Sequence, residues 1–253
     1  CCAREKEPLQ TPLEARIKVV FEQSKATYGS RRMREKLRSE GHRIGRYRVR
    51  SLMRKLWLKV KKTKRYKVTT DSRHSFPVAP NRLDRQFDVD TPDRFWTADI
   101  TYVWTLEGWM YLAIVMDLFS RRIVGWAMDK RMKTQLTIDA LAMAYWMRKP
   151  ARGLVHHSDR GSQYASGDYQ KLLDKHKMTC SMSRKGNCYD NAVAESFFRL
   201  LKTEWVNHHR YLSRSDATSS LFYYIEIFYN RKRRHSVLDY ATPQEYLTFS
   251  LVA

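Results

Sequence analysis

Across its 253 residues the chain has only 26 Asp and Glu to set against 48 Lys and Arg, and the resulting formal charge of +22 is more than an enzyme for a small acidic substrate would need. A surplus of that size marks a protein that meets a polyanion. Cysteine is scarce. Cys1, Cys2, Cys180 and Cys188 are the four, and none has the CxxC spacing of a zinc knuckle, so neither a disulfide framework nor a thiolate metal site is expected. No apolar run reaches the eighteen or so residues that a spanning helix needs, and the first ten residues, CCAREKEPLQ, do not read as a secretory leader. The expectation is a cytoplasmic protein with no membrane partner. What the chain has in quantity is apolar surface: 43% hydrophobic and 13% aromatic residues, enough to fold.

The charge is concentrated. Between Arg31 and Lys67 stand seventeen Lys or Arg and only two acids, Glu35 and Glu40. Within that stretch Met33 and Leu37 precede Gly41, and Val49, Leu52, Met53 and Leu56 follow at i, i+3, i+4 and i+7. With Leu13 to Phe21 before them, these segments predict three short helices around a glycine turn, a helix-turn-helix pattern over residues 1–67. Arg46, Arg48, Arg50, Arg54, Lys61 and Lys62 are its candidate DNA contacts, and no base-reading residue can be singled out. A basic hairpin that docks another protein is the blander reading. Residues 68–93, with Pro77, Pro80 and Pro92, read as a linker.

After the linker the pattern changes to strands. RFWTADITYVW, GWMYLAIVMDLFS and RRIVGWAMDKR form three consecutive strand segments with short joins, an antiparallel meander. A helix over Lys133 to Arg148 follows, then a short strand in GLVHHSD, a helix around Tyr169 to Lys177, a strand near Met178 to Met182, and a long helix from Asn191 to Asn207. Strands first and alternation afterwards predict an α/β mixed sheet with flanking helices over 94–210. Residues 211–253 read as a helical, basic extension, in which the aromatics of Ala217 to Tyr229 suit either a core or an interface.

Three acids fall at telling places: Asp99 within the first strand, Asp159 just past the short apolar strand, and Glu195 one turn into the long helix, 36 positions after Asp159. Phosphoryl transfer by two divalent ions needs carboxylates converging from separate elements, with hard oxygen ligands of the kind Mg²⁺ takes. Asp117 lies in an apolar strand near Arg121 and Arg122, and an ion pair is expected there. His156 and His157 have no second ligand pair beside them and suit sheet packing or the mouth of the site better than zinc.

WTADITY, HSDRGSQY and NCYDNAVAESFFRLLKTE, with the 35 residues between Asp159 and Glu195, closely resemble the OrfB-type DDE transposases of bacterial insertion sequences, relatives of the retroviral integrases. YGSRRMREKLRSEGHRI resembles that family's helix-turn-helix and YNRKRRHSVLDYATPQEY its C-terminal signature, so the likeness spans almost the whole chain. The resemblance implies a ribonuclease H-like mixed five-stranded sheet, a metal-binding catalytic triad of Asp99, Asp159 and Glu195, and two Mg²⁺ ions with Mn²⁺ able to substitute. It implies a phosphate-binding role for Lys202, seven residues beyond Glu195, with Arg199 on the same helix. Arg160, Ser162 and Gln163 beside Asp159, and Arg184 and Lys185 in the loop before the catalytic helix, are further candidates for contact with DNA. The implied partners are double-stranded DNA, as terminal repeats and target, a second copy of the chain on DNA, and the product of an upstream frame, fused or separate. The absence of an initiator Met fits a fused product. The implied reaction is cleavage at the element's ends, joining of a 3′-hydroxyl to another phosphodiester through a circular intermediate, and insertion. A non-catalytic repressor and a plain nuclease acting on RNA–DNA hybrids are the alternatives.

Overall fold

The computed structural model describes residues 11–61, 76–185 and 187–250, so Lys62 and the cysteines at positions 1 and 2 lie outside the described residues. The chain divides into two compact units, Cys1–Lys62 and Thr63–Ala253.

The first unit is built from α1 (Pro12–Gln23), α2 (Ser30–Ser39) and α3 (Arg46–Lys55). Thr11-Pro12-Leu13-Glu14 starts α1 as a capping box: the Thr11 hydroxyl accepts from the Glu14 N–H, and the Glu14 carboxylate accepts from the Thr11 N–H. Gly41, at φ +88°, makes the turn after α2. Ile17, Val20, Met33, Leu37, Val49 and Met53 bury together between the helices. The few acids are used inside this unit. Glu40 accepts from Arg16 Nη2 and Nε at 2.6 and 2.7 Å, which holds its carboxyl down at about 2, and buried Glu14 accepts from Lys55 at 2.7 Å. The pairings tie α1 to α2 and α3, and the outward face of α3 keeps its cations: Arg46, Arg48, Arg50 and Arg54 are all exposed.

The second unit is a five-stranded sheet in the order β3-β2-β1-β4-β5. Its strands are β1 (Phe95–Thr105), β2 (Gly108–Asp117), β3 (Ile123–Asp129), β4 (Val155–Ser158) and β5 (Thr179–Met182). The meander expected from the sequence supplies β1 to β3, which pair antiparallel, while β4 runs parallel to both β1 and β5. Alternation along the strands sorts the side chains onto two faces. One face, with Val103, Met110, Leu112 and Ile114, packs under α7 (Ala192–Glu204) and the aromatics of 211–229. The other, with Ala98, Ala113 and Val115, is covered by α4 (Thr134–Arg148) and α6 (Gly167–Lys175). Gly125 is required on this side, because a Cβ there would stand 2.3 Å from the Ala140 carbonyl of α4.

Several boundaries differ from those expected. The helix predicted from Asn191 to Asn207 is split into a 3₁₀ turn over Cys188–Asn191, α7 itself, and a second 3₁₀ turn over Val206–His208. Asn191 leaves the helix because its side chain bonds to β1, and Trp205, at φ −131°, ends it. The aromatic helix of 217–229 is α8 (Arg214–Phe222) opening into a π-helix over Tyr223–Tyr229, where Tyr224, Ile225, Phe228 and Tyr229 are all buried in the core. A four-residue α5 (Ser162–Ala165) and a terminal α9 (Pro243–Ser250) were not expected. Thr242-Pro243-Gln244-Glu245 caps α9 reciprocally, the same device as at α1. Among the described residues Asp117 forms no ion pair. Its buried carboxylate accepts from the Ser120 N–H and hydroxyl and from the Asp93 N–H, while Arg121, at φ +59° in the turn, is directed to the Phe87 carbonyl.

Candidate active site

The β1–β4 pairing covers Phe95 to Thr97 of β1 and goes no further. Beyond Thr97, β1 continues on its β2 side but has an open edge towards β4, and the parallel bridge from Thr105 to Tyr211 closes the far end. Asp99 stands at the start of this open edge, and β4 ends at Ser158, one residue before Asp159. Two carboxylates thus meet where two parallel neighbours part. α7 crosses the same region, with Ala194, Phe197, Phe198 and Leu201 buried at helical spacing. The next stripe of the helix carries Glu195 and Lys202, seven residues apart and both half-buried, whereas Arg199 is exposed.

The three acids feel one another. Burial raises the Asp99 carboxyl well above the ordinary carboxylate range, and the charges of Asp159 and Glu195 push it further, against the Ile100 N–H and Lys202. Glu195 is raised by burial and by Asp159. Lys202 is lowered to about 8, since its partial desolvation outweighs the attraction of Asp99. One oxygen of each aspartate is held by nearby backbone: Asp99 Oδ1 accepts from the Ile100 N–H at 2.8 Å, and Asp159 Oδ1 from the Gly161 N–H at 2.9 Å. Among the described residues no three of His, Cys, Asp and Glu stand close enough to grip an ion unaided. The donor set nonetheless fits a divalent cation. It consists of hard carboxylate oxygens whose mutual repulsion, visible in the raised acids, such an ion would relieve.

The loop before α7 is tied down by Asp190, Asn81 and Arg85, which the sequence did not single out, together with Arg184, which it offered as a DNA contact. Asp190, fully buried, accepts from the Arg184 N–H at 2.9 Å, from Arg184 Nε and Nη2 at 2.9 and 2.8 Å, from Arg85 Nε at 3.1 Å and from Asn81 Nδ2 at 3.0 Å. These donors hold its carboxyl far below the usual range, the Arg184 side chain foremost. Asn191 beside it donates to the Ala98 carbonyl at 3.2 Å and accepts from the Thr97 hydroxyl. The start of the Glu195 helix is thereby bonded to the strand residues adjoining Asp99. At the other end, Glu204 accepts from Arg233 Nε and Nη2, both at 2.7 Å, and Asn230 bonds both backbone groups of Ile123. The C-terminal signature thus works as packing, with Arg233 only 1% exposed.

The remaining candidates are scattered around this centre. Arg160 is half-buried and donates to the Ser183 carbonyl at 2.6 Å; Ser162 opens α5; Gln163 donates to the Met132 carbonyl at 3.2 Å. Arg184 is committed to Asp190 and Asp84, while Lys185 is exposed. His156 and His157 lie inside the sheet, bonded to the Tyr169 hydroxyl and to Ser181 and Ser183. Burial lowers them to about 3 and about 4, so both are neutral at pH 7.

A mixed sheet with an acidic centre at the open edge of its central strand, in a chain that also carries a basic three-helix unit, has the plan of a DNA-processing integrase-core protein. Comparison with known proteins agrees. Residues 90–188 and 176–243 match models of the integrase core domain, and residues 9–66 match an HTH-like domain. The chain is 46% identical over 231 residues to the insertion element IS600 31 kDa protein of Shigella sonnei, covering 91% of this chain and 85% of that one. It is 42% identical to the transposase InsF for insertion sequence IS3A of Escherichia coli (strain K12), covering 91% and 80%. In fold it is similar to a chain of the simian T-cell lymphotropic virus intasome in complex with a PP2A regulatory subunit, with a TM-score of 0.53 at 15% identity over 81% of this chain and 68% of that one. The chain belongs to the IS3-family transposases, with the integrase-core fold that its motifs imply. Among the described residues no helix is long and apolar enough to cross a membrane.

Proposed function

We propose that the chain cuts one strand at the ends of its insertion sequence and joins the freed 3′-hydroxyl to a second phosphodiester, with Asp99, Asp159 and Glu195 as the catalytic triad. The observation that carries this is the convergence of three mutually repelling carboxylates from β1, the end of β4 and α7 on the open edge of β1. Asp99, Asp159 and Glu195 would together hold two Mg²⁺ ions, with Mn²⁺ able to substitute. Ions held there would supply activation of the attacking water or hydroxyl and stabilisation of the departing oxygen. The protein's own part is positioning. The Asn191 and Asp190 bonds keep Glu195 in register with Asp99, and the Lys202 ammonium takes a phosphate at the DNA end.

Arg199, Arg160, Ser162, Gln163 and Lys185 lie around the centre as further contacts for the backbone of DNA, and Arg184 serves chiefly as a brace for Asp190. Arg46, Arg48, Arg50 and Arg54 neutralise phosphates along the terminal repeats. Joining two ends requires both in one assembly, so at least two copies act together on DNA, with the upstream frame's product, fused or separate, as a further partner in the bacterial nucleoid.

The test is a gel assay with labelled DNA from both ends of the element, with Mg²⁺ or EDTA, and with Asp159→Asn alongside. Cut and joined strands should form with Mg²⁺ alone, and the variant should lose both while still binding DNA. Joining by the variant would overturn the triad.

A further inference from the structure

The β1–β2 hairpin carries a row of aromatic rings that the core does not use. Tyr102, Trp104 and Trp109 lie on the face opposite Asp99 by alternation, beyond the part of that face that packs against α4. Trp109 meets Tyr102 edge-to-face at 4.9 Å and Trp104 at 4.8 Å, yet Trp104 and Trp109 remain 55% and 45% exposed. At the inner end of the row the Lys202 ammonium lies 4.7 Å from the centre of the Tyr102 ring. The lysine that faces Asp99 from α7 therefore also touches the aromatic row at the open edge of β1.

The hairpin is held rigidly. The Thr105 hydroxyl donates to the Gly108 carbonyl at 2.7 Å, the Leu106 N–H donates to the Tyr211 carbonyl at 3.1 Å, and Arg214 donates to the Glu107 and Trp109 carbonyls. A fixed platform of exposed rings beside a cation, in a chain of charge +22 whose family acts on DNA, is the combination that takes unpaired bases by stacking.

We propose that Tyr102, Trp104 and Trp109 form a stacking platform for unpaired bases of the DNA strand that runs out of the active site past Lys202. The inference rests on the triad reading for the strand's direction. At about 3.4 Å per residue, Tyr102 is ~10 Å and Trp104 ~17 Å along β1 from Asp99. For a strand that keeps the duplex-like rise of about 3.4 Å per nucleotide, this places the stacked bases roughly three to five nucleotides from the scissile phosphate.

The test uses the full chain, a duplex of the element's end with a five-nucleotide single-stranded extension, and 2-aminopurine at each extended position in turn. Measurements in EDTA separate stacking from cutting, so loss of activity in the triad does not enter. Fluorescence should be quenched on binding at positions three to five, and Trp104→Leu with Trp109→Leu should abolish that quenching and weaken binding of the extended end about tenfold, with blunt duplex unaffected. Phe at both positions should restore quenching, which separates lost stacking from a damaged hairpin. Quenching that persists in the Leu variant, or equal loss with blunt and extended ends, overturns the proposal. Light scattering supplies a further arm: a Leu variant that breaks an assembly of copies yet still quenches assigns the platform to a protein interface instead.

Discussion

Replacing Asp190 by Asn tests whether the loop before α7 is held by charge. In the wild type one buried carboxylate accepts five hydrogen bonds, three from Arg184, one from Arg85 and one from Asn81. An amide can accept at one atom only, and its NH₂ would face donors. Breaking a buried pair costs about 3–5 kcal/mol where the partner is left buried. Here the side chains of Arg184 and Arg85 are 48% and 47% exposed, so their charges return to water when released. The expected loss is therefore nearer 2–3 kcal/mol, about what the charged hydrogen bonds contribute. Because the folded-state pKa is depressed, this stabilisation is present above the unfolded carboxyl's pKa of about 4 and is lost as pH falls towards the folded value. Urea unfolding followed by tryptophan fluorescence should give a gap of about 2–3 kcal/mol between wild type and variant at pH 7, narrowing below about pH 4. A gap under about 0.5 kcal/mol at pH 7, or one that does not change with pH, would refute the reasoning. Strand joining should fall in parallel at a temperature where the variant is still folded, since Glu195 stands only five positions further on.

Asp99→Asn should raise the thermal midpoint of the metal-free protein while abolishing joining. A raised acid disfavours its ionised form in the fold and costs stability as pH rises towards and through its folded-state pKa. Each kcal/mol recovered is worth about 2–4 °C in a chain of this size, measured by calorimetry in EDTA, and a lowered midpoint would contradict the strain assigned to Asp99. Lys202, lowered to about 8, should lose its charge as pH rises past that value, so DNA-end binding in EDTA should weaken between pH 7 and pH 9. Lys202→Arg should be flat over the same range, and an unchanged slope would remove Lys202 from the DNA site. Substituting Arg46, Arg50 and Arg54 by Ala should reduce the slope of log binding constant against log salt by about 2.7, at ~0.9 for each phosphate no longer neutralised, and a slope that stays the same would place DNA on another face of the first unit.

Much of the architecture was legible because it rests on local periodicity. The period-two runs of β1 to β3, the apolar stripe of Ala194, Phe197, Phe198 and Leu201, and the buried Met33, Leu37, Val49 and Met53 each state which face a segment will hide. The places of Asp99, Asp159 and Glu195 followed from the same patterns together with the motifs around them. Two capping boxes, at Thr11 and Thr242, had the same local signature, yet only the helix after Thr11 was read from its apolar spacing.

The sequence by itself determined the five strands and the main helices, that the sheet is mixed, and that a strongly basic helical unit precedes an acidic centre. Tertiary structure decided who pairs with whom. Asn81 meets Asp190 across 109 positions, and Thr97 meets Asn191 across 94. Asp117 takes turn N–H groups instead of the arginines next to it in sequence, and Arg184 braces a carboxylate. Local pattern specifies the face on which a side chain lies, but a charged or amide group bonds to whatever donors the folded chain brings within about 3 Å, and long-range partners arrive only when the layers close.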